Sequence, residues 1–133
     1  MLNKNFGIEI EFTGITRNEA AKVAAEYLNG TVTNTNDYYD TKKITTADGR
    51  VWKIMSDGSI SCQKRQGRQK IGATREYSVE LVSPILTYQE DIETLQELVR
   101  RLYARQELSP TTPAEYTFTW TVQTTQQGVY ETL

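Results

Sequence analysis

The chain of 133 residues is 38% hydrophobic and 24% charged, which is typical of one folded domain with a single core. It contains no histidine, which argues against Ser-His and Cys-His nucleophiles and against zinc catalysis. Cys62 is the only cysteine, so an internal disulfide is excluded. With no apolar run long enough to span a membrane and no secretory leader, a cytoplasmic location is expected.

The first predicted element is a β-strand from Asn5 to Thr13, where apolar and polar residues alternate. Its expected buried face consists of Phe6, Ile8, Ile10 and Phe12. Strand pleating projects Glu9 and Glu11 side by side from the other face. Two neighbouring carboxylates repel unless a cation, a basic side chain or a shared proton lies between them. The pair therefore suits either a Mg²⁺ site or a solvent-exposed polar face.

Two helices are predicted, Arg17–Leu28 and Tyr88–Arg105. Capping boxes precede them at Thr16 to Glu19 and at Thr87 to Glu90, where each glutamate is expected to bond back to the cap. Gly30 is expected in the left-handed position that ends the first helix. The buried stripe of the second helix is predicted at Ile92, Leu95, Val99 and Leu102, with Leu98 beside it.

Three further strands are predicted to share a sheet with the first: Arg50–Met55, Glu76–Ser83 and Tyr116–Gln123. An Asp-Gly pair before Arg50 predicts a hairpin turn, and a tight turn is expected at Ser56 to Ser59. Lys53 shares a strand face with apolar neighbours, so it either extends its ammonium to solvent or faces a ligand. Glu80 falls on the less apolar face of its strand.

The segment from Cys62 to Arg75 is basic and contains no acidic residue: Lys64, Arg65, Arg68, Lys70 and Arg75. The remaining ten basic and seventeen acidic residues give the rest of the chain a charge of −7. This segregation predicts an exposed hairpin or loop that attracts nucleic-acid phosphate or an acidic protein surface. Because the segment has no aromatic residue, base stacking is not expected. A solvated loop without a partner is the alternative.

Residues 1–108 are predicted to form the α+β core. Residues 109–133 are expected to add a linker at Ser109 to Pro113, a threonine-rich strand, and a frayed tail from Gln126. All of these belong to one domain in this interpretation.

Three motifs, in order, resemble the amidoligase family: Phe6-Gly7-Ile8-Glu9-Ile10-Glu11-Phe12, then Trp52-Lys53 leading into Ser56-Asp57-Gly58-Ser59, then Glu80-Leu81-Val82-Ser83-Pro84. Its members are ATP-dependent carboxylate–amine ligases related to glutamine synthetase and glutamate–cysteine ligase. The resemblance implies an α+β fold in which an antiparallel sheet is backed by two helices. It also implies ATP and Mg²⁺ as cofactors. Glu9, Glu11 and Glu80 would hold the metal, Lys53 would contact phosphates, and Asp57 would lie beside them.

The sequence departs from the family pattern at the strand after the long helix. Family members usually carry a Gly-x-His-x-His type motif there, whereas Thr117, Thr119 and Thr121 occupy the polar positions here. A hydroxyl cannot replace imidazole as a base near pH 7. The expected function is therefore a non-catalytic amidoligase-like binding protein that uses the basic segment.

For that binding function, the family context suggests a phage or mobile-element inhibitor of a host defence complex, such as a CRISPR effector. The alternative is an ATP- and Mg-dependent carboxylate–amine ligase, either complete or completed by a second polypeptide.

Overall fold

The computed structural model describes residues 5–106, 119–124 and 130–132. The helices are α1 (Arg17–Leu28) and α2 (Tyr88–Arg105). The strands are β1 (Asn5–Phe12), β2 (Thr31–Asn34), β3 (Lys42–Thr45), β4 (Val51–Met55), β5 (Gln63–Gln66), β6 (Gln69–Gly72), β7 (Val79–Val82), β8 (Leu86–Thr87), β9 (Thr119–Thr124) and β10 (Tyr130–Thr132). This is the α+β architecture predicted from the sequence, and both helices have the predicted bounds.

The main sheet is antiparallel and runs in the order β10-β9-β1-β7-β4-β3-β2, with β8 paired to the start of β1. All four predicted strands contribute to it. Strand β1 lies between β9 and β7, so its residues have a neighbouring strand on each side. The sheet therefore places the first sequence motif near its centre, beside the motif that contains Glu80.

The core lies between the helices and one face of this sheet. The predicted face of β1 is buried, with Ile10 and Phe12 at most 1% exposed. On α2, Leu95 and Leu102 are buried as predicted, but Leu98 is also fully buried, while Ile92 and Val99 are only partly so. The stripe of α2 is thus centred closer to Leu98 than the sequence spacing indicated.

The helix caps differ from the predicted capping boxes in three details. Thr16 accepts a hydrogen bond from the Glu19 amide at 3.2 Å as predicted, but the Glu19 carboxylate pairs with Arg105 instead of returning to the cap. At α2 the Thr87 hydroxyl makes no cap bond, because it donates to the Asn5 side chain. Asp91 supplies the cap, accepting the Thr87 N–H at 2.8 Å.

The end of α1 is also arranged differently from the prediction. Asn29, with φ 53°, takes the left-handed position expected for Gly30. Gly30 is required for a different reason, since a Cβ there would lie 2.5 Å from the Ile44 side chain and 3.0 Å from the Thr45 carbonyl oxygen. The glycine therefore allows α1 to lead directly into the edge of the sheet.

The predicted strand Glu76–Ser83 was too long. Residues Arg75–Tyr77 form a single 3₁₀ turn, and β7 begins only at Val79. The reason is that side chains use the carbonyls that a strand would need. The Thr13 hydroxyl donates to the Tyr77 carbonyl at 2.8 Å, and Arg17 donates to the carbonyls of Arg75 and Ser78.

The basic segment forms a separate two-stranded sheet, β5–β6, whose base is fixed to the end of β1. The Gln63 amide donates to the Thr13 hydroxyl at 2.9 Å, and the Ala73 amide donates to the Cys62 carbonyl at 2.9 Å. Strand β10 lies within the stretch predicted as a frayed tail, and the rest of that stretch lies outside the described residues. The predicted linker at 109–113 lies outside the described residues. None of the helices described is long and apolar enough to cross a membrane.

Candidate functional site

Three carboxylates meet on the sheet face opposite the helices. Glu11 on β1 lies directly opposite Glu80 on β7, and Glu80 is in turn opposite Met55 on β4. Asp57 follows β4 and begins a tight turn closed by the bond from the Ile60 amide to the Asp57 carbonyl, one residue later than the turn predicted at Ser56 to Ser59. Glu11, Asp57 and Glu80 each offer one oxygen, and these three atoms lie within 4.8 Å of one another. We call these three residues the carboxylate cluster.

Asp57 is held in this cluster by the turn and by Ser78. Its Oδ1 accepts from the amide and the hydroxyl of Ser59, both at 2.9 Å. The Ser78 hydroxyl accepts the Asp57 N–H at 2.8 Å and donates to the Asp57 carbonyl at 2.6 Å. Ser78 is 1% exposed, so this clamp is shielded from water. Sequence reasoning missed Ser78, because alternation indicated only that it lies on a less apolar face.

Ser78 is positioned in turn by Arg17, which sequence reasoning also missed. The Arg17 Nη1 donates to the carbonyls of Arg75 at 2.7 Å and Ser78 at 2.8 Å. Its Nε donates to Asp40 at 3.1 Å, and the whole residue is 8% exposed. A basic residue in the first turn of a helix ordinarily faces solvent, so nothing in the sequence indicated a buried guanidinium.

The pKa values of Glu11 and Asp57 indicate that these two carboxyl groups share a proton. The hydrogen bond with Asp57, together with burial and the charges of Asp57 and Glu9, raises the pKa of Glu11 to about 7. The same hydrogen bond and those from Ser59 hold the pKa of Asp57 below its ordinary value. A proton on Glu11 is therefore donated to ionised Asp57, and this shared proton reduces the repulsion between them.

Glu80 is the least compensated member of the cluster. Burial first, and then the charges of Glu9, Asp57 and Glu11, raises the pKa of Glu80 to about 7. All of the charged residues that cause this shift are acidic. At neutral pH the cluster therefore either retains protons on Glu11 and Glu80 or needs a cation to neutralise them.

The donor set fits a hard divalent cation. All three donors are carboxylate oxygens, which suit Mg²⁺ and Ca²⁺ rather than soft transition metals. With Mg–O distances near 2 Å, ligand oxygens lie about 3–4 Å apart, so oxygens within 4.8 Å need only a small closing movement. Glu9, the fourth predicted carboxylate, lies on the same face but outside this group of three.

The structure places Lys53 on the same face, but among the described residues it forms no ion pair with the cluster. Lys53 lies opposite Val82, and Val82 lies opposite Glu9 on the far side of β7. Lys53 is exposed, with the half-buried Val51 and Met55 on its strand face. Its predicted phosphate contact stays a prediction.

The structure does not bring the five basic residues predicted for partner binding into one group. Lys64, Arg65, Arg68 and Lys70 belong to the β5–β6 hairpin. Arg75 lies in the 3₁₀ turn, where its guanidinium is 5.6 Å from the centre of the Tyr38 ring and donates to the Ser56 hydroxyl at 3.4 Å. Arg75 therefore belongs to the surface beside the Asp57 turn rather than to the hairpin.

The register of β9 shows which of its residues pair with Glu9 and Glu11 on β1. Thr119 pairs with Glu11 and Thr121 pairs with Glu9. Thr117 lies outside the described residues.

In a comparison with protein-family models, residues 2–117 match the family described as "Putative amidoligase enzyme". The chain belongs to the amidoligase family. The resemblance inferred from three motifs is thereby confirmed, and the match includes every member of the carboxylate cluster of this amidoligase-family protein. No curated protein and no solved structure matches the chain.

A cleft of about 400 Å³ on the helix side of this amidoligase-family protein is a weaker candidate for ligand binding. Arg50, which lines it, already pairs with Asp48 at 2.9 Å and with Asp91 at 3.0 Å. These ion pairs fix the β3–β4 turn against α2, which is a structural role. The carboxylate cluster on the opposite face is the better site.

Proposed function

We propose that the protein binds a divalent cation, preferentially Mg²⁺, together with nucleotide phosphate at Glu11, Asp57 and Glu80, and that this site serves carboxylate–amine ligation. The supporting observation is the cluster itself, in which three oxygens lie within 4.8 Å and two carboxyl groups have a pKa of about 7. Close like charges destabilise the fold, and this cluster contains no basic side chain to offset them. Perturbed groups of this kind concentrate at functional sites.

Each residue has a distinct part in this proposal. Glu11 and Glu80 offer oxygens from two paired strands. Hydrogen bonds from Ser59 and with Ser78 fix the position of Asp57 beside them. Bound Mg²⁺ would supply charge neutralisation to the nucleotide phosphates, the chemistry by which ATP-dependent ligases activate a carboxylate. Because the chain has no histidine, the exposed Glu9 is the neighbouring carboxylate that can accept a proton from an attacking amine.

Calorimetric titration with a nonhydrolysable ATP analogue tests this function. At pH 8 the wild-type protein is expected to bind the analogue only when Mg²⁺ is present. Asp57→Asn should weaken Mg²⁺-dependent binding at least tenfold, because an amide is a poorer ligand for Mg²⁺ than a carboxylate. Glu26→Gln, which removes an exposed carboxylate on α1, should leave it unchanged.

Two results would contradict the proposal: equal binding of the analogue in EDTA and in Mg²⁺, or no binding under either condition. If the analogue binds as expected, a second assay with ATP distinguishes a ligase from a protein that only binds the nucleotide. A ligase should release ADP only when both a carboxylate and an amine are present.

A second candidate function is binding of an anionic partner through the β5–β6 hairpin. In the part of the chain that the structure describes, its two strands pair only with each other, and Arg65 and Arg68 are exposed at its end. No acidic residue lies between Cys62 and Arg75, so the hairpin carries an uninterrupted positive field. In this function the protein acts without catalysis. Its role as an inhibitor of a host defence complex and its cytoplasmic location stay predictions.

The double variant Arg65→Gln/Arg68→Gln tests the second candidate. Binding to polyglutamate and to a mixed-sequence RNA duplex is measured over a range of salt concentrations. We expect about tenfold weaker binding to one of these polymers and a smaller salt dependence, because two released counterions are lost. Arg100→Gln/Arg101→Gln removes the same charge from α2 and should have little effect. Equal losses in both variants would indicate net charge alone and would exclude a hairpin site.

A further inference from the structure

We propose that Lys43 and Lys53 form an anion subsite that binds part of the polyphosphate of a nucleotide whose metal-bound end lies at the carboxylate cluster. This inference rests on the proposed nucleotide-binding function. It adds Lys43, which no sequence motif indicated, and gives Lys53 a partner on the neighbouring strand.

The two lysines lie directly opposite each other on the antiparallel pair β3–β4. Like charges at opposed positions of a sheet repel each other and destabilise it. A bound anion would remove this repulsion. Among the described residues, neither lysine forms an ion pair or a hydrogen bond. Lys42 is the contrasting case, because it is buried and its ammonium pairs with Asp40 at 3.1 Å. Lys42 therefore has a structural role, whereas Lys43, on the other face of the same strand, is available to bind an anion.

The pair and the cluster occupy two ends of the same sheet face. Lys53 lies opposite Val82 and Val82 lies opposite Glu9, so two strand spacings, about 10 Å, separate Lys53 from Glu9. Glu80 is closer, on the diagonal from Lys53, yet no ion pair joins either lysine to a carboxylate among the described residues. The ammonium groups therefore do not neutralise the carboxylates of this face.

Between the two charged ends lie Met55 and Val82, both half-buried. A ligand complementary to this face carries negative oxygens at both ends of a short span: one set coordinated by a cation at the cluster, the other attracted by the lysines. A polyphosphate has this distribution of charge. Lysine binds phosphate as a compact point charge without a fixed fork geometry, so two lysines on adjacent strands can share one phosphate group.

The test measures inorganic triphosphate and Mg²⁺ separately, on the full chain. Triphosphate is titrated in EDTA at pH 6, where protonation of Glu11 and Glu80 limits repulsion, and MgCl₂ is titrated alone at pH 8. Lys43→Gln/Lys53→Gln should bind triphosphate at least tenfold more weakly than wild type and bind Mg²⁺ equally well. The α2 variant Arg100→Gln/Arg101→Gln removes the same charge at exposed positions and should change triphosphate binding less than threefold. Lys43→Arg/Lys53→Arg keeps both charges and should restore binding.

Unchanged triphosphate binding in the Lys43→Gln/Lys53→Gln variant would overturn the inference, as would an equal loss in the α2 variant. The proposed function fails separately. If wild type binds no Mg²⁺ but triphosphate binding still depends on the two lysines, the metal site is wrong and the anion subsite stands.

Discussion

Replacing Glu80 by glutamine is expected to stabilise the fold at pH 8 while abolishing divalent-cation binding at the carboxylate cluster. In the folded protein the pKa of Glu80 is raised to about 7 from an ordinary value of 4.5. Between these pH values the folded state therefore binds more protons than the unfolded state. The stability that protonated Glu80 contributes to the fold is lost as pH rises through 7. Glutamine removes the charge whose burial is unfavourable, and it also removes a metal ligand.

The size of the effect depends on pH. Urea unfolding should show Glu80→Gln more stable than wild type by roughly 1–2 kcal/mol at pH 8 and nearly equal at pH 4, where both states are protonated. Addition of Mg²⁺ should raise the melting temperature of wild type at pH 8 but not that of the variant. Glu26→Gln is the matched control. A gain of the same size at both pH values would show that the charge of Glu80 is not its cause.

Replacing Arg17 by alanine is expected to destabilise the protein by about 3–5 kcal/mol, because a buried guanidinium with three partners is lost. Arg17 holds the carbonyls of Arg75 and Ser78 and the carboxylate of Asp40. Without it the Ser78 carbonyl, whose residue is 1% exposed, loses this partner. Urea unfolding measures the loss, and Arg100→Ala, at an exposed position of α2, should leave the free energy of unfolding almost unchanged.

The same substitution should also reach the carboxylate cluster. Ser78 clamps the backbone of Asp57, so a displaced Ser78 carbonyl shifts the turn that presents Asp57. Under conditions where the variant is still folded, its Mg²⁺ affinity should fall about tenfold, as for lost supporting interactions at other metal sites. A variant that is destabilised but binds Mg²⁺ normally would confine Arg17 to a purely structural role.

Periodicity predicted the elements with strong patterns because burial of one face dictates them. The alternation around Ile8 and Ile10 and the spacing of Leu95 and Leu102 led directly to β1 and α2, since each places its apolar residues on one face. The order of the three motifs predicted that Glu11 and Glu80 lie at the same site. Their register, with the two residues directly opposite, became visible only in the paired strands.

The supporting residues of the site could not be predicted from local sequence patterns, because their roles depend on contacts between residues far apart in the sequence. The Arg17 contact with the Ser78 carbonyl spans 61 positions, and the contacts of Ser78 with Asp57 span 21. Such side chain–backbone bonds override strand propensity at Arg75 to Tyr77, where alternation predicted an extended chain. Lys43 went unnoticed for a related reason: its significance depends on the lysine opposite it, which the sequence places ten residues away.

The hydrogen bond between the Ala73 amide and the Cys62 carbonyl has a consequence for how this protein can diversify. The chain enters the β5–β6 hairpin after Cys62 and leaves it at Ala73, so the ten residues between them form an appendage whose base is also bonded to Thr13 and Gly14 through Gln63. Evolution or engineering can lengthen, shorten or recharge that appendage without altering the spacing of Asp57 and Glu80, which lie on either side of it in the sequence. New recognition can be acquired there independently of the chemistry at the sheet.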